Sequence, residues 1–456
     1  MNKIKLTKYE QGSVGELFAI SWPMMLSSAA GCLMIFVDRL ILSHYSMEAF
    51  NACFGAIQWY WAFLFTALEF TLIAEVFVGQ YNGARRYQEI GSIVWQMIWF
   101  CLALLAIYIP LAQFLVPHLV ADNIAKLGVP YLRIIVLFIP IHCIGCGALT
   151  AFFVGRGQTK VISGVVVIAN VVNGILAYLF IFGVNIKGVQ IIPEGGVIGA
   201  AVAMVIAQIF PMLLLFILFL RKENRERYGT GKITFKLNLL KNCLKVGSPT
   251  TLNRFLNSIF WAGMTQVIVK YVTPGDFQGY GIVHSLYMIF FFAVEGVGVG
   301  TRTICSNAIG AKEFFVVGKN IRSWVKLGGI FAGLAAIGML VFPDLLIGMF
   351  LGNDKSNEAY WVADRMLVWA WGVFVFDYFL TSLMSVLLAS GDTKYVMLVG
   401  SLCFFLLAVV PVYIGIVYFG SASILFWQLM LLDIVVRLFL FIHRYRSGRW
   451  MQNKLV

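Results

Sequence analysis

Residues 196–220 read GVIGAAVAMVIAQIFPMLLLFILFL, a run without a charged side chain. A helix of about 20 apolar residues spans the hydrocarbon core of a bilayer, because it satisfies every backbone amide internally. Further runs of similar length predict the same element at residues 17–42, 53–79, 91–117, 130–154, 161–184, 247–272, 279–306, 323–350, 362–388, 394–418 and 422–443. The sequence therefore predicts an all-α polytopic membrane protein with about twelve transmembrane helices.

The composition excludes a soluble globular protein. Hydrophobic residues make up 61% of the 456-residue chain and charged residues only 12%. In a soluble domain roughly a quarter of the residues are charged, so this chain has too few charged residues to cover its surface in water.

The net charge of +13 is distributed unevenly between the predicted loops. One set of alternate loops, together with both termini, holds about 23 Lys and Arg, against about four in the other set, which is the positive-inside pattern. The segment 221–246 alone carries about eight of them. We therefore expect both termini in the cytoplasm, a chain in the cell inner membrane, and contact of the basic residues with lipid rather than with nucleic acid.

Neither the cysteines nor the histidines form a chemical motif. Cys143-x-x-Cys146 lies inside an apolar run without a second pair, so a structural role is favoured over a redox or zinc site. The histidines are scattered without metal-ligand spacing, and no phosphate-binding glycine loop ends in Lys-Ser/Thr. We expect no metal, no cofactor, no direct use of ATP and no enzyme activity.

Three short motifs recur in the same order in both halves of the chain. They pair residues 20–26 (ISWPMML) with 246–252 (VGSPTTL), 80–85 (QYNGAR) with 307–312 (NAIGAK), and 155–160 (GRGQTK) with 389–394 (ASGDTK). The near-constant offset, about 226 to 234 residues, indicates an internal repeat. It predicts a six-helix lobe over 1–220, a basic cytoplasmic linker over 221–246, a second six-helix lobe over 247–443 and a cytoplasmic tail over 444–456.

Six spans are an even number, so the two halves are predicted to be parallel repeats. Such repeats are typical of secondary transporters that work by alternating access. The glycine run 296–300 (GVGVG) is interpreted as close helix packing rather than ligand binding.

Over nearly its whole length the chain resembles the multidrug and toxin extrusion (MATE) family. The resemblance lies in Pro23 followed by Val37-Asp38, the Gln80-x-x-Gly83-Ala84 motif and its repeat, the stretch 155–159 (GRGQT) with Asn170, Asn173 and 178–183 (YLFIFG), and 196–203 (GVIGAAVA). It implies a twelve-helix, two-lobed antiporter that exports organic cations in exchange for protons or sodium.

The chain also departs from the family pattern. Ala177 stands where the fifth helix often has an acid, Met204 replaces the sixth-helix threonine, and the seventh-helix glutamate of NorM-like members falls near Asn257. The chain is therefore not an ordinary NorM-type member.

Asp38 is the principal candidate for ion coupling. An ionisable side chain at bilayer depth costs about 2.5–3.5 kcal/mol on insertion scales, so it is retained where it pairs, faces water or functions. Because desolvation disfavours the charged form, we expect Asp38 to exchange a proton near neutral pH. The alternatives are an interfacial Asp38–Arg39 tip and a structural pair with an arginine.

Asn173 is predicted to join the coupling site from the fifth span. It lies three residues after Asn170, on the same face of the helix. An asparagine in a membrane helix also serves as a contact between helices, and this remains the alternative.

Asp377 and Glu295 are the coupling candidates of the second half. By the resemblance, Asp377 falls near an ion-linked carboxylate of NorM-type members, and Glu295 lies in the eighth span. A buried pair with Arg254 or Arg365 is the alternative for either acid.

A cytoplasmic gate is predicted from the repeat. Glu75 and Arg302 occupy equivalent positions with opposite charge, and such helices would approach each other where two lobes meet. A Glu75–Arg302 pair could hold the cytoplasmic side shut, with a structural role inside one lobe as the alternative.

Trp59, Trp261 and Phe291 are predicted to line the substrate cavity, where aromatic faces bind organic cations. The predicted function is a secondary antiporter for organic, amphipathic cations, acting as a monomer on a small-molecule substrate with H+ or Na+ as coupling ion. The alternative is a lipid-linked saccharide flippase, which would need a basic cavity for a pyrophosphate group.

Overall fold

The structure is a computed structural model that describes residues 5–120, 122–186, 189–351, 355–453 and 455. The helices of the first half are α1 Val14–Tyr45, α2 Met47–Gly83, α3 Ile90–Pro110, α4 Val116–Leu119, α5 Ala125–Leu137, α6 Ile139–Cys143, α7 Thr150–Val154, α8 Thr159–Phe182 and α9 Gly196–Phe219. Those that follow are α10 Lys222–Tyr228, α11 Leu237–Tyr271, α12 Pro274–Gly310, α13 Phe314–Ala336, α14 Pro343–Leu351, α15 Glu358–Ala389, α16 Thr393–Cys403, α17 Val410–Phe419 and α18 Ile424–Arg446.

The long helices coincide with the predicted membrane spans. Within the described residues, 9 helices are long and apolar enough to cross a membrane, and the bent pair Ala125–Leu137 and Ile139–Val154 makes up to 10. The two remaining predicted spans fall on α1 and α11, which are 32 and 35 residues long. The prediction of an all-helical polytopic membrane protein is confirmed.

π-helical segments interrupt four of these spans. They are Leu111–Leu115, Ile144–Leu149, Ile337–Val341 and Phe404–Val409. A π-bulge widens one turn of a helix and shifts the face that the following residues present. A small hairpin of β1 (Val184–Ile186) and β2 (Val189–Ile192) connects α8 to α9, an element that the sequence analysis did not predict.

The backbone takes the same conformation at positions that the repeat motifs paired. Arg85 and Lys312 both take a left-handed conformation, with φ of 61° and 60°. Gly157 and Gly391 do the same, with φ of 77° and 82°. A left-handed conformation costs roughly 1–2 kcal/mol for a residue with a Cβ, so its recurrence at Arg85 and Lys312 reflects one shared turn geometry.

The hydrogen bonds of these turns match as well. Arg86 N donates to Tyr81 O at 2.9 Å, and Glu313 N donates to Ala308 O at 2.8 Å. Both bonds close the carbonyl end of a long helix in the manner of a Schellman motif.

The chain folds as two compact units. The N-terminal unit is Leu26–Thr251, and the C-terminal unit combines Met1–Met25 with Leu252–Leu455. In the N-terminal unit α8 packs on α9 and α2 packs on α5, while α12, α15 and α18 form the centre of the C-terminal unit. The first turns of α1 therefore belong to the C-terminal unit, although the helix continues into the N-terminal one.

Polar contacts fix the first residues of the chain within the C-terminal unit. Gly12 N donates to Glu16 Oε2 at 2.6 Å, and Ser323 Oγ donates to Gly12 O at 2.6 Å. Glu10 also forms an ion pair with Lys319. These contacts tie the start of α1 to α13.

The glycine run 296–300 provides close helix packing, as predicted. A Cβ at Gly296 would collide with Met25, and one at Gly300 would collide with Ser21 Oγ. Gly298 faces α15, where a Cβ would lie 3.1 Å from Thr381 Cγ2. Small residues allow such approach between membrane helices, where dispersion contacts replace the hydrophobic effect.

Part of the basic segment 221–246 is docked on the N-terminal unit. Trp95 Nε1 donates to Thr230 O at 2.8 Å, and Gln96 Nε2 donates to Thr234 O at 2.9 Å. A Cβ at Gly91 would lie 2.6 Å from Gly229 O. Residues 229–234 are therefore a fitted part of this unit rather than a free connection.

Arg156 anchors α10 of the same segment. Its guanidinium carbon lies 3.6 Å from the ring centre of Phe152 and 4.2 Å from that of Tyr228. Its Nη2 donates to Gln158 Oε1 at 2.8 Å. Burial lowers the pKa of Arg156 to about 10, so the group stays charged at neutral pH and its cation–π contacts persist.

Candidate functional site

The N-terminal unit holds a polar pair inside apolar helices. Asn173 Nδ2 on α8 donates to Asp38 Oδ1 on α1 at 2.6 Å. Asn173 is buried and Asp38 is half-buried. The structure thus brings together the two residues of this half that were predicted to couple ions.

Two further polar atoms lie in the same region of α8. Asn170 Nδ2 and Asn173 Oδ1 are buried and have no hydrogen-bond partner within the part of the chain that the structure describes. A buried polar atom left unsatisfied costs about 1–3 kcal/mol. The α8 face beside Asp38 therefore has donor and acceptor capacity beyond the Asp38–Asn173 bond.

The charge of Asp38 is not balanced by a described cation. Asp38 makes no ion pair with any side chain that the structure describes, and the Arg39 side chain lies outside the described residues. The proposed Asp38–Arg39 tip is therefore untested. With an amide as its described partner, Asp38 can take up one positive charge, as a proton or as a cation.

The positions that depart from the family pattern are filled by neutral groups. Ala177 is buried, and buried Met204 Sδ accepts a hydrogen bond from Tyr131 OH at 3.8 Å. Asn257 Nδ2 donates to Asn253 Oδ1 at 3.5 Å. With Ala177 and Met204 at these positions, the polar site of the N-terminal unit lacks the acid and the hydroxyl of the family pattern.

A buried glutamine was missed by the sequence analysis. Gln208 Nε2 on α9 donates to Tyr60 OH on α2 at 2.8 Å, and both residues are buried. The signal was available, because Gln208 is an amide in the middle of an otherwise apolar run and such groups are retained for interhelical bonds.

The C-terminal unit contains a larger group of ionisable side chains. Tyr287 OH on α12 donates to Asp377 Oδ2 on α15 at 3.0 Å. Arg437, Glu295 and Asp433 all lie close enough to interact electrostatically with Asp377. We call these five residues the C-terminal acidic cluster; it unites the two predicted acids, Asp377 and Glu295, with three residues not assigned before.

Arg437 is the arginine of this cluster. It forms an ion pair with Asp433 one helical turn earlier on α18, and Asp433 is fully buried. The predicted alternative named Arg254 or Arg365, whereas the arginine that acts on Asp377 is Arg437. The i, i+4 spacing of Asp433 and Arg437 within an apolar run was the signal that could have identified the pair.

The three aromatic residues predicted for the substrate cavity differ in environment. Trp59 is exposed on α2. Trp261 is half-buried and packs edge-on against Phe426, with ring centres 5.3 Å apart, and Phe291 stacks obliquely near Tyr287 at 6.1 Å. Phe291 thus lies beside the C-terminal acidic cluster, whereas Trp261 packs against Phe426 of the same unit.

The two gate residues belong to different units. Glu75 is buried in α2 of the N-terminal unit, and Arg302 is half-buried in α12 of the C-terminal unit. The Glu75–Arg302 gate stays a prediction.

The Cys143-x-x-Cys146 stretch lies within the helix packing of the N-terminal unit. Both thiols are free, and Cys143 is fully buried. Across the described residues, no group of three His, Cys, Asp or Glu side chains is placed to hold a metal ion.

Comparison with known proteins places the chain among transporters. The MatE family model matches residues 23–179 and 249–414, one stretch in each half. The chain is 25% identical over 456 residues to the probable multidrug resistance protein NorM of Thermotoga maritima, covering 97% of this chain and 94% of that protein. It is 22% identical over 425 residues to multidrug and toxin extrusion protein 1 of Oryctolagus cuniculus, covering 90% and 70%.

Solved structures share the fold. A MOP superfamily transporter from Pyrococcus furiosus superposes with a TM-score of 0.81 at 16% identity, covering 100% of this chain and 99% of that one. A MATE transporter of Vibrio cholerae gives 0.78 at 14% identity, covering 96% and 98%. At these identities the likeness concerns the fold.

Proposed function

Because this chain belongs to the MatE family, whose members are membrane transporters, we propose that it exports organic, amphipathic cations in exchange for an inward-moving ion. The observation that carries this proposal is the acidity of both candidate sites. Asp38 has an amide as its described partner, and the C-terminal acidic cluster holds three carboxyl groups against one arginine. Both sites can hold a cation.

Competition for the same charge would couple the two fluxes. A half-buried carboxylate among apolar helices is stabilised by one positive charge, whether a proton, a metal cation or an organic cation supplies it. Occupation by the ion then excludes the substrate cation. A ligand shifts a conformational equilibrium by its difference in affinity for the two states, so ion binding can favour the state that releases substrate.

Protons fit the N-terminal site better than sodium does. A hard metal cation needs several oxygen ligands, whereas this site has one carboxylate, already bonded to an N–H of Asn173, and amide groups beside it. A single carboxylate is sufficient to carry a proton. The C-terminal acidic cluster has carboxyl groups on α12, α15 and α18, but no three described side chains of this kind are placed to hold a metal ion together, so a proton is the favoured ion there as well.

The flippase alternative is not favoured by the charges. A pyrophosphate group needs a strongly basic cavity, because its phosphates are bound by Arg and Lys. Arg437 is already paired with Asp433, and acids outnumber it in its own cluster.

Dye transport in vesicles tests the proposal. Purified protein in lipid vesicles is expected to move a fluorescent cationic dye against its concentration gradient when protons are supplied on the opposite side. A sodium gradient at constant pH is expected to drive less transport. Collapse of the proton gradient by an ionophore serves as the control, and dye flux no greater than in protein-free vesicles under either gradient would refute the antiporter proposal.

We propose that the protein is a monomer in the inner membrane with both termini in the cytoplasm. Cysteine labelling tests this orientation. On a cysteine-free background, Lys232→Cys is expected to react with an impermeant reagent only after the membrane is opened. Lys232 is exposed in the basic segment, so access to the side chain does not limit the reaction. Lys355→Cys, exposed before α15, is the matched control and should react in intact cells; the reverse pattern would invert the topology.

A further inference from the structure

A charged cavity of the C-terminal unit is lined by residues that belong to neither candidate coupling site. Its volume is ≈ 340 Å³, and it is formed where α11 ends and α12 and α15 begin. Asp276, Glu358 and Arg365 line it. Volumes of about 300–1,000 Å³ are typical of small-ligand sites.

The two carboxylates of this cavity are positioned by the first turn of α12. Ser423 N donates to Asp276 Oδ2 at 2.7 Å, which leaves Asp276 Oδ1 without a bond to any described residue. The Glu358 carboxylate lies over Gly275, where a Cβ would be 2.6 Å from Glu358 Oε2. The partial positive charge of the helix N-terminus stabilises both anions.

The arginine of the cavity keeps its terminal nitrogens available. Arg365 Nε donates to Trp361 O at 3.2 Å, so a backbone carbonyl of its own helix, α15, fixes the side chain. Neither Arg365 nor Glu358 forms an ion pair with a described residue, although both line the same cavity. The cavity therefore presents separated positive and negative groups.

An apolar groove shares α11 with the cavity. Its volume is ≈ 330 Å³, and Gly263, Met264 and Val267 of α11 line it together with Phe405, Val409, Val410, Val412 and Tyr413. One helical turn, about 5.4 Å, separates Val267 from Tyr271, the first α11 residue of the charged cavity. On α17, Tyr413 lines the groove, and Gly420, just beyond the helix, lines the cavity.

Aromatic side chains mark the depth of the cavity in the membrane. Tyr271 at the end of α11 and Tyr418 and Phe419 at the end of α17 are all exposed. Tyr and Trp concentrate at the boundary between hydrocarbon and headgroups. The charged cavity thus lies at headgroup level, and the groove extends from it toward the hydrocarbon.

We propose that this crevice between α11 and α17 binds one phospholipid with a primary ammonium in its headgroup, of the phosphatidylethanolamine class. The ammonium is held by Asp276 and Glu358, and the phosphate by the free nitrogens of Arg365, a pairing that arginine favours. One acyl chain fills the apolar groove.

The charge pattern selects this headgroup over other common ones. Phosphatidylglycerol has a phosphate for Arg365 but no cation for the two carboxylates. Phosphatidylcholine has a cation, but its quaternary nitrogen lacks the N–H donors that Asp276 Oδ1 and Glu358 can accept. The order of binding is therefore expected to be ethanolamine, then choline, then glycerol lipids.

Native mass spectrometry of the full-length protein in detergent tests this order. With equimolar palmitoyl-oleoyl lipids of the three classes, one ethanolamine lipid per chain is expected to be retained about tenfold more than the glycerol lipid, the difference of roughly one charge-assisted hydrogen bond. Glu358→Gln and Arg365→Gln should each lower the retention of the ethanolamine lipid about tenfold. Both side chains are exposed, so these variants are expected to fold.

Gly263→Leu tests the groove separately. A Cβ at Gly263 has nothing within 4 Å, so a leucine side chain would begin in open space, occupy part of the groove and reduce retention. Arg133→Gln in α5 and Gly333→Leu in α13, another glycine with open space beside it, are the matched controls and should retain lipid like the parent. Unchanged retention in Glu358→Gln, Arg365→Gln and Gly263→Leu would overturn the proposal, and displacement of the lipid by excess tetraphenylphosphonium would overturn it by assigning the crevice to transported cations.

Discussion

Replacing Asp38 with asparagine is expected to abolish gradient-driven efflux while the protein stays folded. The amide keeps the volume of the side chain, and its oxygen can still accept the hydrogen bond from Asn173 Nδ2. What is lost is the negative charge that binds the coupling ion. We expect dye efflux at least about tenfold below that of the parent, since a coupling free energy of over 1.4 kcal/mol disappears.

The same variant separates a coupling role from a structural one. A structural Asp38 paired with an arginine would leave a buried charge unpaired in Asp38→Asn, at about 3–5 kcal/mol of stability. Because no described side chain forms an ion pair with Asp38, we expect the unfolding temperature in detergent to stay near that of the parent. Dye binding at equilibrium should also persist.

Glu48→Gln is the matched control for Asp38→Asn. Glu48 is an exposed acid in the first turn of α2, so its neutralisation should leave efflux unchanged. Full efflux by Asp38→Asn would contradict the coupling role of Asp38. It would transfer that role to the C-terminal acidic cluster around Asp377 and Glu295.

Replacing Arg437 with methionine is expected to destabilise the protein by about 3–5 kcal/mol. The change removes the positive charge next to fully buried Asp433. It also leaves Asp377 and Glu295 without the arginine that acts on Asp377. Thermal unfolding in detergent, followed by the fraction of soluble monomer, measures the effect.

A double variant shows whether the loss comes from an unpaired charge. Arg437→Met with Asp433→Leu removes both members of the ion pair, and replacement of a buried pair by apolar groups is often near neutral. Most of the lost stability should therefore return. Lys222→Met is the matched control, because Lys222 and Glu226 form a pair of the same i, i+4 spacing with side chains 84% and 68% exposed; its cost should stay below about 1 kcal/mol. A single Arg437 variant as stable as this control would refute the structural role of the pair.

The membrane spans and the repeat could be predicted because both are local properties of the chain. A bilayer of fixed thickness demands a fixed length of apolar helix, so runs such as 196–220 and 394–418 predict their own structure. The turn after α2 recurs after α12 because the motifs QYNGAR and NAIGAK encode the same carbonyl-end turn, with Arg85 and Lys312 at matching φ. No distant contact is needed for either inference.

The partners of the charged residues could not be predicted in the same way. Asp377 has several arginines available at membrane depth, and the packing of α12, α15 and α18 decides that Arg437 is the one beside it. The docking of residues 229–234 on Trp95 and Gln96 could not be predicted either. A polar segment between two apolar runs predicts a connecting loop, whether or not that loop binds to the rest of the protein.

The sequence by itself determined where the long apolar helices lie, the two related halves and the acidic residues available for coupling. The tertiary structure alone decided that the first turns of α1 belong to the C-terminal unit, that Asp38 meets Asn173, and that Asp433 and Arg437 join the predicted acids. The physical reason is the range of the forces involved. The backbone hydrogen bonds of a helix and the length of its apolar run depend on one segment of the chain. The free energy of a buried charge depends on which helix packs beside it.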